Sequence, residues 1–304
     1  ISPRDWSSDV CSSDLQELAD FYLPILCGPE IAVAATKSFV NQLVIMYILA
    51  ASYKQPEAAV KASVNRAKGL LSDTLRLSAP AIDEVAERLY LKPSIHMLGT
   101  GLFGLAREAA LKVREVVLNH SEGYDAAEFK HGPNTILGKN TVFSIAEVVK
   151  AMDAALAAKV EGEAGKSAAE LLAADPSIVE GLFSNYPLVF VCPPDARDAR
   201  ITISQIHTHK IRGADIVLFA EKHPELDLAV KGVPSGRDDY RSAYVEIPAS
   251  GDRYLFVFAA TVALQYLAFR MSVLKMEYLD RLGVRDHGVH PDAPKNVSKS
   301  ITVD

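Results

Sequence analysis

Cysteine is scarce in this 304-residue chain: there are three, Cys11, Cys27 and Cys192, an odd number without metal-ligand spacing. That excludes a disulfide framework and suits a reducing compartment. Aromatic residues make up only 8%, and neither sign of charge dominates, 32 Lys and Arg standing against 38 Asp and Glu. The net charge of -6 attracts neither nucleic acid nor an anionic membrane as a whole-molecule field, although a local positive site for a phosphorylated small molecule is compatible with it. Uninterrupted apolar runs are short. The one around Val44–Ala51 cannot span a bilayer, and the longer one near Tyr254–Met271 is broken by Gln265 and Arg270. Both read as buried helices, with no membrane partner and a cytoplasmic location. Ile1–Leu15 has no basic stretch followed by an apolar core, so it is not a signal peptide. With its near-tandem SSDV and SSDL and no periodic apolar face, it reads as a non-native segment and the chain as truncated upstream.

What is present is the composition of a globular protein: 49% hydrophobic and 23% charged residues, long enough for two domains of ordinary size. Phe21–Leu26 is a short apolar run stopped by Cys27-Gly28-Pro29, a strand-then-turn signal. Helical periodicity covers Ile31–Tyr53, and separate helices are predicted over Pro56–Leu71 and Pro80–Leu89. Ser94–Leu98 reads as a buried strand leaving through Gly99-Thr100-Gly101 into a helix from about Gly104 to Leu118. Strands follow at Leu188–Cys192, Ile216–Ala220 and Tyr244–Ile247. Helices follow at Asp195–Ile211, with Asp195 as N-cap and Gly213 as stop, and at Tyr254–Met276. Strand-helix alternation predicts an α/β fold, a doubly wound and mainly parallel sheet flanked by helices. Ala151–Gly181, rich in Ala, Glu and Lys, reads as a helical insertion between core strands.

Three places carry candidate chemistry. Glu108, Lys112 and Glu115, at i, i+4 and i+7, share one helix face; the bland reading is a solvated salt-bridge stripe. His131, followed by Gly132-Pro133, is held on a sharp turn and can exchange a proton near neutrality. Lys299, in the closing Asp292–Ser300 stretch, is a candidate amine for a Schiff base if the tail folds over a pocket. His207 and His209, with Asp286, His287, His290 and Asp292, read as solvated surface groups and not as a metal site. The Gly99–Gly101 turn offers helix N-terminal amides to an anion.

Taken in order, Gly28–Lys37 (GPEIAVAATK), Ala110–Glu115 (ALKVRE), Glu128–Pro133 (EFKHGP) and the closing Pro294–Asp304 resemble the glucosamine-6-phosphate synthase family. These are glutamine:fructose-6-phosphate aminotransferases, built from a glutaminase domain followed by two sugar isomerase (SIS) domains. The resemblance runs from about Asp20 to Asp304. It implies four parts: a non-native 1–15, the remnant of a first SIS domain with a linker helix over 16–75, a second SIS domain over 76–284 with an insertion at about 139–185, and an active-site tail over 285–304. It implies that Glu115 moves the proton between C1 and C2, that His131 opens the sugar ring across a homodimer interface, and that Lys299 forms the imine. Lys112 and Glu108 would support proton handling, while Val33 and Ser298 would contact the sugar. The implied reactants are fructose 6-phosphate and glutamine-derived ammonia, with no metal or organic cofactor. Two departures stand out. Ala35 occupies a usual serine position, and the family's phosphate loops, upstream in the first SIS domain, are missing together with the glutaminase domain. Two other readings stay open: another SIS phosphosugar isomerase or deglycase, and a non-catalytic module that binds a sugar phosphate.

Overall fold

In a computed structural model of the chain, residues 19–139 and 183–292 are described. The segment 1–15, most of the insertion and the tail residues Ser298 and Lys299 lie outside the described residues.

The chain enters through an irregular stretch and a helix, α1 (Lys37–Ser52). A second helix, α2 (Glu57–Leu89), runs 33 residues. The first strand, β1 (Ser94–Gly99), leads into α3 (Phe103–Lys112), which ends in a π-turn, Val113–Val117. The short strand β2 (His120–Asp125) follows, then two 3-10 turns, Phe129–His131 and Pro133–Ile136. The remaining elements are β3 (Tyr186–Cys192), α4 (Ala196–Ile211), β4 (Ala214–Glu221), α5 (Pro224–Lys231), β5 (Ser242–Ile247) and α6 (Arg253–Arg281).

All four strand pairings are parallel and the order is β2-β1-β3-β4-β5. Alternation along the strands feeds two cores. Val189, Val191, Val217 and Phe219 meet α2, α3 and α6 on one face, whereas Leu188, Phe190, Ile216 and Leu218 meet α4, α5 and Phe129 on the other. Strands buried on both faces explain their continuous apolar runs. The doubly wound parallel sheet expected from the sequence is therefore present, with helices on both faces.

Several local expectations change. Phe21–Leu26 forms no strand, and Phe21, Leu23 and Leu26 are exposed. An isolated apolar run with no neighbouring strand to pair with has nowhere to put its backbone hydrogen bonds. The two predicted helices over 56–71 and 80–89 are one helix running straight through Pro80. Proline in a helix interior costs about 3 kcal/mol. Here Leu70, Thr74, Ser78, Ile82, Val85 and Leu89 form one uninterrupted buried stripe, and tertiary packing outweighs the local penalty. The helix that begins near Gly104 has its α-helical part end at Lys112. Two elements went unpredicted: β2, whose His-Ser-Glu-Gly-Tyr-Asp sequence has no apolar alternation, and α5. The second had a readable signal, because Pro224 stands at the first helical position and the His223 ring caps it by accepting from the Leu226 amide at 3.3 Å.

By length and composition α6 could cross a bilayer, but its most apolar side supplies the core: Leu255, Phe256, Ala260, Leu264, Leu267 and Met271 are buried there.

Candidate functional site

The turn that opens α3 is built on close backbone approach. A methyl group at Gly99 would stand 2.4 Å from the Leu102 carbonyl oxygen, so glycine lets β1 turn directly into the helix. From there, helical spacing puts Glu108, Lys112 and Glu115 on one side, and that side is not solvated: Glu108 is 8% exposed and Lys112 2%. The Lys112 ammonium donates to Glu115 Oε2 at 2.6 Å and lies 3.5 Å from Glu108 Oε1. A buried lysine between two carboxylates is a tightly constrained charge cluster, unlike a surface stripe. Burial pushes the Glu108 carboxyl above its usual range and nearby Glu115 adds to this, while Lys112 and the neighbouring Gln265 amide of α6 oppose it.

Lys112 opens onto a cavity of about 500 Å³ whose polar lining includes Glu30, Thr36, Lys37, Gln265 and Asp292. Glu30 was not singled out from the sequence, yet it organises this wall. Its carboxylate accepts from the backbone amides of Thr36 at 2.8 Å and Lys37 at 3.0 Å, and from the Thr36 and Ser38 hydroxyls. It thus caps α1 from six residues upstream, the Thr36 side chain itself making no cap bond. Burial alone would raise the Glu30 pKa; hydrogen bonds from Ser38, Thr36 and Lys37 outweigh it and hold the carboxyl below its ordinary value. Lys37 bonds back to the Pro29 carbonyl at 2.6 Å, closing the loop. Glu30 thus occupies two of the amides at the start of α1, those of Thr36 and Lys37.

The other predicted site residues are placed as follows. Val33 is half-buried in the loop whose neighbours Ile31, Ala32 and Ala34 line the cavity. His131 is exposed at the end of its 3-10 turn, where Gly132 takes φ 152, and it does not line this cavity. The tail returns to the cavity, because Pro291 and Asp292 line it. The structure therefore brings together Glu108, Lys112 and Glu115 beside the Glu30–Lys37 loop and leaves His131 apart.

Two further readings change. His209 is fully buried, not a surface group, with Phe129 edge-on at 5.3 Å and, among the described residues, neither ring nitrogen hydrogen-bonded. Above the Gly99–Gly101 turn sits the Arg253 guanidinium, donating to the Gly101 carbonyl at 2.9 Å and pairing with Asp195 at 2.8 Å and Asp198 at 2.5 Å. The place where an anion was expected thus already holds a cation with two carboxylates, and Asp195 spends its side chain there instead of capping α4. Among the described residues no group of three or more His, Cys, Asp or Glu is disposed to hold a metal ion.

No family model matches the chain. It is 26% identical over 305 aligned positions to the isomerizing glutamine–fructose-6-phosphate aminotransferase of Pseudomonas putida, covering 97% of this chain and 38% of that protein. Against the enzyme of the same name from Aeropyrum pernix it is 27% identical, with 98% and 38% covered. Against that of Aquifex aeolicus it reaches 35% over 133 residues, 43% of this chain and 22% of the relative. The match falls on the C-terminal part of these proteins, so the chain spans about two fifths of the length of its first two relatives here. Among solved structures it resembles the C-terminal domain of glucosamine-fructose-6-phosphate aminotransferase from Francisella tularensis, at TM-score 0.55 and 22% identity over 82% of this chain and 57% of that one. A putative phosphosugar isomerase from Silicibacter pomeroyi gives TM-score 0.53 and 21% identity over 90% and 61%. These neighbours share the fold, a parallel five-stranded sheet flanked by helices.

Proposed function

We propose that this chain is the isomerase part of an enzyme that converts fructose 6-phosphate and ammonia to glucosamine 6-phosphate. The observation that carries the reading is the buried Glu108–Lys112–Glu115 cluster at the edge of the cavity. Aldose–ketose exchange needs a base that moves a carbon-bound proton and a neighbour that sets its charge. Glu115 is the shuttle, Lys112 fixes it, and Glu108 tunes Lys112. Val33 and Ser298 contact the sugar. Lys299 forms the imine with the open-chain ketose; it lies seven residues past Asp292, and seven extended residues reach at most about 25 Å, enough to return to the cavity. His131, exposed and away from this cavity, serves the ring-opening step in a homodimer, reaching the partner's site. Ammonia comes from a glutaminase domain like that of the aminotransferase relatives. The reaction is cytoplasmic and uses no cofactor. The domain division at 75/76 belongs to the same proposal, although α2 runs unbroken across it.

A second reading, another phosphosugar isomerase or deglycase, is favoured by Ala35, which removes a hydroxyl beside the cavity loop. The deciding experiment extends the chain upstream in its own reading frame. It then follows glucosamine 6-phosphate formed from fructose 6-phosphate and glutamine, with Glu115→Gln in parallel. Product lost in the variant supports the first reading. Turnover of a different phosphosugar, with none of fructose 6-phosphate, supports the second. The chain alone is expected to be inactive.

A further inference from the structure

Helix α3 does not finish as an α-helix. Directly after Lys112, Val113–Val117 close a π-turn, and Leu118 then adopts left-handed backbone at φ 59, a conformation a leucine enters only under constraint. The carbonyls at such an end have no helical partners and must be satisfied from outside. Two of them, those of Val116 and Val117, are satisfied by α6. Ser272 Oγ donates to the Val116 carbonyl at 2.8 Å, and the Lys275 ammonium donates to the Val117 carbonyl at 2.9 Å and to Asn119 Oδ1 at 2.5 Å. Asn119 is itself tied to the end of α2 and the turn after it through the Tyr90 and Lys92 carbonyls. Seven residues before Ser272, Gln265 of the same helix lies beside Glu108. One face of α6 thus grips both ends of the segment that carries Glu108, Lys112 and Glu115.

The chemistry of Lys275 is unusual for a packing residue. Burial lowers its pKa, and among the described residues its partners are uncharged. Burying an ammonium against neutral acceptors is unfavourable unless the acceptors need it, and a methionine would fill similar space without that cost. A cation here also meets the negative end of the helix.

We propose that Lys275 and Ser272 are positioning residues that hold the π-turn in the geometry setting the Glu115 carboxylate against Lys112. They act on the proposed proton transfer through Glu115, without touching substrate. This rests on the role given to Glu115 above, so its test needs a readout independent of turnover.

Selective 13C labelling of Glu and Lys in the full chain, at one neutral pH, supplies that readout, the Glu115 carboxyl signal being assigned by its loss in Glu115→Gln. In Lys275→Met the Glu115 and Lys112 signals move toward random-coil positions, while Lys275→Arg leaves them near their original places. Ser272→Ala, which deletes a single hydroxyl, moves them the same way by less and serves if Lys275→Met does not fold. In the upstream-extended enzyme, kcat falls at least 10-fold in Lys275→Met with KM within about twofold. Unmoved signals in a folded Lys275→Met chain overturn the proposal. Signals that move, in a chain whose extended parent turns over no phosphosugar, leave the positioning standing and remove the catalytic reading of Glu115 instead.

Discussion

Lys112 donates to Glu115 across 2.6 Å while standing 3.5 Å from Glu108, so one buried ammonium answers to two carboxylates. Removing it strands at least one buried charge. Lys112→Met is expected to lower unfolding free energy by about 3 kcal/mol, whereas Glu115→Gln, at a more open position, lowers it by about 1 kcal/mol. Urea unfolding of both variants checks the order. Equal losses would mean that the cluster is solvated after all.

If Glu115 moves the proton, Glu115→Gln lowers turnover of the extended enzyme by about 100-fold or more with little change in sugar-phosphate affinity. Binding measured by calorimetry beside the kinetics separates the two. A variant that turns over normally would rule out the assignment.

Acid stability is expected to hinge on two buried imidazoles. Burial pushes His96 and His209 down from 6.5 to about 4, with His120 adding to this at His96, and Arg212 and Lys130 at His209. Because the folded values lie below the unfolded ones, the neutral rings contribute their full stability above about pH 6.5. That contribution, on the order of 3 kcal/mol each, is lost as pH falls toward 4. Among the described residues His209 has no hydrogen-bond partner, so His209→Leu should keep its melting temperature at pH 7 and lose less of it at pH 4.5 than the parent. His96 bonds Tyr186 at 2.7 Å, so His96→Leu should cost stability even at pH 7. Melting curves across pH 4–8 test both.

Gly123 lets β2 lie directly on α3, where an added methyl would stand 2.4 Å from the Arg107 amide nitrogen and 2.6 Å from the Ala106 carbonyl oxygen. Backbone on both sides cannot give way easily. Gly123→Ala is expected to destabilise by about 2–3 kcal/mol, and wild-type stability would show that β2 can shift.

Arg253 ties the β1 exit turn to the start of α4 through Gly101, Asp195 and Asp198. Partial exposure limits its worth, so Arg253→Met should cost about 1–2 kcal/mol, less of it in high salt.

Much of the sheet could be read from the sequence because buried parallel strands are apolar on both faces: Leu188–Cys192 and Ile216–Ala220 announce themselves. The polar edge strand β2 could not, since nothing in His120–Asp125 alternates. Pro80 misled because the penalty it imposes is local while the stripe that overrides it is tertiary. At the site, the spacing of Glu108, Lys112 and Glu115 showed a shared face, but only the fold shows that the face is buried. Glu30 and Gln265 escaped because neither is near the cluster in sequence: one caps a helix from a preceding loop and the other arrives from α6. The Glu30 cap had a faint signal, a carboxylate shortly before a helix whose own N-cap makes no bond. The π-turn had none, since Val113–Val117 reads as ordinary helix.

The packing of α6 against α2 and the π-turn has a kinetic corollary. The strand β1, early in the chain, gains its second neighbour only when β3 has emerged from the ribosome, and the apolar side of α2 stays uncovered until residues 255–271 follow. One entire face of the sheet therefore closes only after α6 has followed all five strands. A nascent chain stalled anywhere before α6 leaves that face exposed, a client for chaperones or a seed for aggregation.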